Sequence, residues 1–175
     1  MSFSVLAVLS ATAFVLAAAD LELHTTVTDV NTYGLAKTRF LAVRPEYSDD
    51  FLKLEIDVEI PKMLIEGNFK AEGGMGAFNL EDIKGTWAIE GHVANDRWTI
   101  EHFLISPEIG KMQIWFSDLF NGNEELNKTA LKFVNEYWPS LYRSVLPFMA
   151  EMWDAELTQI SNRIFSKVSF SKTFP

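Results

Sequence analysis

The first feature that could do chemistry is a row of charged side chains at alternate positions: Lys53, Glu55, Asp57 and Glu59. Carboxylates at this spacing can act as general acids and bases or hold a cation. They alternate with apolar residues from 52 to 60, so a β-strand would place all four on one face. Neither a histidine nor a second acidic cluster accompanies them. We therefore predict a solvated strand face.

The three histidines, His24, His92 and His102, show no metal-binding arrangement. HExxH is absent, and no two histidines lie at the helical spacing of metal ligands. His102 would share a strand face with Trp98 and Ile100, where it could donate a hydrogen bond to a polar group of a buried ligand. The alternative is a half-buried histidine that bonds within the protein.

Motifs for nucleophilic catalysis and phosphate binding are absent. The sequence contains no GxSxG, and Gly73-Gly74-Met75-Gly76 lacks the lysine of a phosphate-binding loop, so it predicts a turn. The absence of cysteine excludes thiol catalysis, Cys-ligated zinc and disulfides. We expect no catalytic residue, no metal and no cofactor, and an enzyme is the least favoured class.

One modification motif is present, the N-glycosylation sequon Asn127-Lys128-Thr129. In a helix that begins near residue 123, Asn127 would lie one position away from the apolar residue Leu126. We therefore expect the Asn127 side chain to point outward and to be a glycosylation site. The alternative is a sequon that arises by chance and is not used.

Composition excludes several partners. The chain has 175 residues, 48% of them apolar, and a net charge of −9. Nucleic acids and anionic membranes attract clustered lysines and arginines, and the sequence has no such cluster. We therefore expect no nucleic-acid partner, and a core large enough for one domain.

The N-terminus has the pattern of a secretory signal peptide. Residues 1–19 carry no charged side chain and end in Ala17-Ala18-Ala19 before Asp20. The alternative, a membrane anchor, needs roughly 20 apolar residues, whereas this run has about 15. We predict a signal peptide at 1–19, a single domain at 20–175 and a secreted, monomeric protein without integral membrane association.

Hydrophobic periodicity predicts a sheet followed by a helix. Alternation over residues 52–60 and 63–71 predicts two strands separated at Pro61, and residues 22–44 predict two shorter ones around Gly34. Further strands are expected at 77–80, 85–93, 98–105 and 111–116, with a hairpin at Asn95-Asp96 and a turn between Pro107 and Gly110. The sheet should be antiparallel with one apolar face.

From Asn123 the apolar period changes from two to between three and four. Asn123 is a good N-cap. Pro139 either opens a second helix, from about 140 to 167, or bends the first, and we expect a kink at Pro147. The inward stripe should begin with the apolar positions Leu126, Ala130, Phe133, Tyr137 and Leu141. The predicted class is α+β, with the helix against the sheet's concave face.

The C-terminal half carries an ordered set of residues that is typical of one protein family. Upstream, the residues that belong to the same family pattern are Asn31, Gly34-Leu35, Pro61 and Gly67. The C-terminal set is Gly110-Lys111-Met112, Ile114, Phe116, Asp118-Leu119-Phe120-Asn121-Gly122, Phe133, Val134-Asn135-Glu136, Trp138, Leu146-Pro147, Ile160, Asn162, Ile164-Phe165-Ser166-Lys167-Val168 and Phe174-Pro175.

On these residues, the chain from 22 to 175 resembles the insect juvenile-hormone-binding and takeout (circadian-clock-controlled-protein-like) family. The resemblance implies a strongly curved antiparallel sheet wrapped around a long C-terminal helix, a half-barrel related to lipid-binding folds of the bactericidal/permeability-increasing type. It also implies a secreted, non-enzymatic protein that binds a small hydrophobic ligand in an internal tunnel. Family members usually carry a further N-terminal segment with a cysteine pair, so we expect an N-terminally shortened member.

Our leading hypothesis is a carrier of a juvenile hormone, another isoprenoid or a fatty-acid-like molecule. The surplus of aromatic and methionine side chains in the helix favours an elongated apolar cavity over a simple core. The alternative is a truncated or degenerate member that acts as an interaction or structural protein without ligand. The candidate lining residues are Leu54, Ile56, Val58, Met63, Trp87, Ile89, Met112, Ile114, Phe116, Trp138, Leu141, Val145, Met149, Met152 and Trp153.

Overall fold

A computed structural model describes residues 27–69, 74–117, 120 and 122–174. The predicted signal peptide, His24 and part of the 118–122 motif lie outside these residues. The α+β class, with an antiparallel sheet before a long C-terminal helix, is confirmed. The elements are β1 (Val27–Tyr33), a 3-10 turn (Leu35–Lys37), β2 (Arg39–Ser48), β3 (Phe51–Phe69), β4 (Gly74–Ala94), β5 (Arg97–Phe116), α1 (Glu124–Phe165) and α2 (Phe170–Thr173).

Among the described strands the order is β1-β3-β4-β5, and β2 also pairs with β3. Both β1 and β2 run antiparallel to β3. The predicted hairpin at Asn95-Asp96 joins β4 to β5, and both residues have positive φ, at 52° and 61°. Two consecutive positive φ values are the signature of a type I′ hairpin turn.

The prediction that Pro61 separates two strands is wrong, because β3 continues through it. The β2 ladder ends at Glu59 and the β1 ladder ends at Leu64. Pro61 lies between these ladders, where its missing N–H removes no bond to either strand. Gly34, which follows β1, approaches the same part of β3 so closely that a Cβ would overlap the carbonyl oxygen of Lys62.

The predicted breaks in the next two strands are also wrong. Residues 74–76 of the expected turn lie in β4, and the segments predicted as separate strands form one strand in β4 and another in β5. Gly85 and Gly110 mark close approaches of the two strands. A Cβ at Gly85 would lie 2.6 Å from the Ser106 carbonyl oxygen, and one at Gly110 would lie 2.8 Å from the Asp82 Cβ. The glycines therefore allow the pairing to continue.

Helix α1 begins where the cap predicted it. The Asn123 side chain accepts a hydrogen bond from the Leu126 amide at 3.1 Å. The alternative of a second helix that opens near residue 140 is wrong, since α1 is one helix of 42 residues with Pro139 and Pro147 inside it. The expected kink at Pro147 stays a prediction.

The chain packs as two compact units. The first contains the described residues up to Lys37, together with Ile60–Ile83 and Ile109–Pro147. The second contains Thr38–Glu59, Lys84–Glu108 and the described part of Phe148–Pro175. Each unit has its own apolar core. The single domain expected for 20–175 stays a prediction.

In each unit an asparagine of α1 bonds to the backbone of β5. In the first, the Asn135 amide accepts from the Ile114 N–H at 2.8 Å and donates to the Ile114 carbonyl at 2.7 Å. In the second, Asn162 bonds Ile100 in the same way, at 2.8 and 2.7 Å. Each amide imitates the peptide group of a neighbouring strand, so it satisfies backbone groups that an edge strand would leave unpaired.

We predict that Asn135→Ala and Asn162→Ala each lower the free energy of unfolding by about 2–3 kcal/mol, because a half-buried N–H and carbonyl lose their partner. Hydrogen exchange should locate the effect. The Ile114 amide should exchange faster in the first variant, and the Ile100 amide in the second.

The matched control is Gln159→Ala, at an exposed position of the same helix, which should change the unfolding free energy by no more than about 0.5 kcal/mol. Urea denaturation measures all three variants. A loss below about 1 kcal/mol at both asparagines would show that these bonds do not hold the helix to the strand.

Candidate functional site

All fifteen predicted lining residues are buried or half-buried, and they fall in both units. The first unit holds seven of them: Met63, Met112, Ile114, Phe116, Trp138, Leu141 and Val145. The second holds eight: Leu54, Ile56, Val58, Trp87, Ile89, Met149, Met152 and Trp153.

In the first unit the structure brings five of these residues into one cluster. Ile114, Phe116 and the helix residue Val134 are buried at its centre. Met112 packs against this cluster and against a second one, built on Ile60, Leu80 and Ile83, to which Met63 also belongs. The first cluster therefore places β5 side chains against α1, with Met112, Trp138 and Leu141 around it.

The inward stripe of α1 differs from the predicted one. Leu126, Phe133 and Tyr137 are exposed. The buried position is Val134, one residue beyond Phe133, and the stripe continues through Trp138 and Leu141. The hydrogen bonds of Asn135 to β5 fix this rotation of the helix. Val134 was missed because its neighbour Phe133 is more hydrophobic and fits the same period.

In the second unit Trp98 and Ile100 are buried beside Leu52 and Ile89. Leu54 and Ile56, two further predicted lining residues, pack against this cluster. Trp98 was predicted to lie on a strand face, but it is not among the predicted lining residues. The sequence did contain a signal for its burial: Trp98 comes directly after the hairpin, and the apolar residue Ile100 follows two positions later on the same strand face.

The other lining residues of the second unit lie outside this cluster. Trp87 makes edge contacts with Phe40 and Phe103, each at 6.0 Å between ring centroids. Val58, Met149 and Trp153 are buried, and Met152 is half-buried. Of the eight predicted lining residues in the second unit, three therefore belong to the cluster around Trp98: Leu54, Ile56 and Ile89.

The sequence predicted that His102 shares a strand face with Trp98 and Ile100. This prediction is wrong, because Trp98 and Ile100 are buried and His102 is exposed. Both Glu101 and His102 are exposed, so the alternation of β5 shifts by one residue and Phe103 becomes the inward side chain. The His102 side chain is 54% exposed and its Nδ1 lies 2.7 Å from Asp154 Oδ2. Of the two interpretations, the geometry matches a histidine that bonds within the protein, between β5 and α1, although the side chain is exposed and not half-buried.

Asp154 links α1 to β5 through both carboxylate oxygens. Its Oδ1 accepts from the Phe103 backbone N–H at 2.7 Å and from the Thr158 hydroxyl at 3.1 Å. Burial acts to raise the pKa of Asp154, but these bonds and the one from His102 outweigh it and lower that pKa. In turn, the Asp154 carboxylate raises the pKa of His102.

The acidic row of β3 forms ion pairs. Arg44 on β2 donates to Asp57 at 2.8 Å and to Glu55 at 3.4 Å, and the Thr86 hydroxyl donates to Asp57 at 2.8 Å. The hydrogen bond from Arg44, followed by the one from Thr86, lowers the pKa of Asp57 to about 2. An ionised carboxylate already paired with a guanidinium is a poor general acid or base.

The same row continues with partly exposed pairs, Lys53 with Glu55 at 2.9 Å and Arg39 with Glu59 at 3.7 Å. The side chains of Glu55, Asp57 and Glu59 are 28–33% exposed, so the predicted solvated face is a partly exposed network of ion pairs. In the described part of the chain, no group of three or more histidine, aspartate or glutamate side chains is placed to hold a metal ion.

The expected outward direction of Asn127 is wrong. Its Nδ2 donates to the carbonyl oxygens of Ser117 at 3.2 Å and Phe116 at 3.5 Å, and the side chain is half-buried. A glycan would attach to this same nitrogen. Use of the sequon stays a prediction. Within the described residues, no helix is both long enough and apolar enough to cross a membrane.

An antiparallel sheet followed by one long helix, with apolar clusters between their side chains, defines an α+β fold. The chain belongs to the haemolymph juvenile hormone binding protein (JHBP) family, whose family model matches residues 3–175. The resemblance inferred from the sequence is thereby confirmed. Members of this family are binding proteins and are not known as enzymes.

Among solved structures, the chain is similar to takeout 1 of Epiphyas postvittana, with a TM-score of 0.71 over 85% of this chain and 74% of that chain. The sequence identity is 16%, so this similarity supports the fold alone. A search of curated proteins by sequence finds no match.

The pair formed by His102 and Asp154 gives a prediction for pH. The raised pKa of His102 contributes stability that is complete below its ordinary value of 6.5 and is lost as the pH rises through the folded-state pKa. The lowered pKa of Asp154 contributes stability above 3.8 that is lost as the pH falls. The pair should therefore stabilise the fold most between these two values.

Asp154→Asn should return the pKa of His102 toward 6.5 and flatten the dependence of stability on pH above that value. An NMR titration of the His102 ring measures the shift. Glu151→Gln, an exposed change on the same helix, should leave it in place. An unchanged His102 titration in Asp154→Asn would contradict the assignment.

Proposed function

We propose that this protein is a secreted, non-enzymatic carrier of a small hydrophobic ligand, such as a juvenile hormone, another isoprenoid or a fatty-acid-like molecule. Membership of the juvenile hormone binding protein family over residues 3–175 is the observation that carries the proposal. The apolar residues predicted to line a tunnel between sheet and helix are all buried or half-buried, as lining residues should be. The acids of β3 are engaged in ion pairs.

Secretion is supported by the leader-like residues 1–19. The net charge of −9 favours solubility and gives no attraction to nucleic acid or to anionic lipid. We propose a monomer with Asn127 as its glycosylation site. Such a carrier needs no metal and no cofactor, because burial of ligand carbon supplies the binding energy.

A second candidate function is that of an interaction protein without a ligand. It is favoured by exposed apolar side chains along β2, where Phe40, Leu41, Val43 and Tyr47 are all more than half exposed. Exposed apolar groups at a strand that pairs with only one described neighbour can bind a protein partner. In that case the apolar clusters are simply the core.

The carrier hypothesis predicts a dependence of affinity on ligand chain length. Each additional buried methylene contributes about 0.8 kcal/mol, which lowers the Kd by about three- to fourfold. Displacement of a bound fluorescent fatty acid by saturated acids of 10 to 18 carbons measures the series. Absence of saturable binding, or equal affinity along the series, would favour the interaction protein.

Substitutions at two adjacent positions of α1 give a second test of the carrier. Met149 is 6% exposed and Phe148 is 76% exposed. Met149→Gln places an amide of similar size among buried side chains, where its desolvation should weaken fatty-acid binding by about tenfold. Phe148→Gln makes the same change in water and should alter the Kd by no more than about twofold.

Both variants are titrated with the fluorescent fatty acid at a temperature where circular dichroism shows them folded. Equal affinity of the two variants would remove Met149 from the binding site. Weaker binding by Phe148→Gln alone would place the probe on the exposed surface instead.

A further inference from the structure

The indole nitrogen of Trp98 is a buried hydrogen-bond donor without an acceptor among the described residues. Trp98 is also the most buried large side chain described, at 1% exposure. A buried donor without a partner costs about 1–3 kcal/mol, and the large majority of such groups in proteins are paired. The Trp98 N–H therefore needs an explanation that packing alone does not give.

The surroundings of Trp98 connect it with the candidate ligand site. Its cluster includes Leu54, Ile56 and Ile89, which are all predicted lining residues. Its ring makes edge contacts with Phe165 at 5.0 Å and with Phe174 at 5.6 Å between centroids. The donor thus lies among apolar and aromatic side chains, as a single polar group does in a typical hydrophobic binding site.

The C-terminal segment over Trp98 is attached to the β4–β5 hairpin by hydrogen bonds and to the Trp98 cluster by ring contacts. Helix α2 has four residues, Phe170–Thr173, and precedes Phe174. Asp96, in the turn between β4 and β5, accepts from the Phe170 amide at 2.9 Å and from the Ser171 amide at 2.8 Å. Arg97 donates to the Val168 carbonyl at 2.9 Å. Ring contacts of Phe170 with Tyr47 and of Phe174 with Phe165, each at 6.4 Å between centroids, also hold the segment, so uncovering Trp98 must break them.

We propose that Trp98 Nε1–H donates a hydrogen bond to a carbonyl oxygen of the bound ligand once the ring of Phe174 moves aside. This inference rests on the proposed carrier function and adds the chemistry of one ligand end. The indole N–H is a donor only, so the ligand must supply an acceptor. The segment that ends in Phe174 acts as the cover of this end of the site.

The acceptor should be neutral, as in an ester, ketone or aldehyde. A carboxylate buried beside Trp98 would need a cationic partner. The adjacent guanidinium of Arg97 is partly exposed and already donates to backbone carbonyls of Asp96 and Val168. The structure therefore favours a long apolar ligand that carries an uncharged carbonyl group.

Two probes with the same number of carbon atoms, one with and one without an ester group, test the proposal: methyl palmitate and heptadecane, each used to displace N-phenyl-1-naphthylamine. The unsubstituted protein should bind the ester more tightly. Trp98→Phe keeps an aromatic ring and removes the donor, so it should weaken ester binding about fivefold and change alkane binding by less than about twofold. The control Trp115→Phe, at a side chain that is 48% exposed, should change neither.

Equal weakening of both probes in Trp98→Phe would overturn the proposal and leave Trp98 as a packing residue whose N–H points to an aromatic face. Equal affinity of the unsubstituted protein for ester and alkane would also overturn it while the carrier function stands. If neither probe binds saturably, the carrier function fails and this inference fails with it.

A second measurement needs no variant. In the NMR spectrum of the unsubstituted protein, the Trp98 indole proton should shift downfield with methyl palmitate and stay in place with heptadecane. Residues Phe170 and Phe174 should lose order as the cover opens. An indole proton that responds equally to the two probes would contradict a hydrogen bond to the carbonyl.

Discussion

The structure depends on how the free backbone groups of β5 are satisfied. Among the described strands β5 lies at the end of the pairing order, so its outer N–H and carbonyl groups have no strand beside them. Asn135 and Asn162 each supply one amide that bonds both groups of a single β5 residue. Buried peptide groups without partners are costly, which makes these amides a condition for packing an apolar helix against this strand.

This constraint decides which side chains of α1 face inward. Once Asn135 is directed at Ile114, the helix can bury Val134 and Trp138 but must expose Phe133 and Tyr137. Hydrophobicity alone favoured Phe133, since periodicity does not distinguish two adjacent stripes that differ by about 100° around the helix. In this helix, hydrogen-bond geometry therefore decides between two rotations with similar apolar content.

The sequence predicted the elements whose signal is local. Alternation at residues 52–60, the cap at Asn123 and the hairpin at Asn95-Asp96 were all recoverable because each depends only on neighbouring residues. The predicted breaks at Pro61 and between Pro107 and Gly110 were wrong because they depend on which strand lies alongside. The exposure of His102 was missed for a similar reason: its partner is the Asp154 carboxylate, 52 residues away along the chain.

The candidate site is harder to derive than the fold, because its side chains also serve as core. Ile114, Phe116 and Ile89 would be buried in a filled protein and in a carrier alike, so their burial does not separate the two. A polar group whose bonding the fold leaves incomplete offers a different kind of observation. Asn135, Asn162 and Asp154 all bond within the fold, whereas the Trp98 N–H has no acceptor in the described part of the chain. That donor, and not the burial of the apolar residues, is therefore the observation on which our proposal of a ligand contact rests.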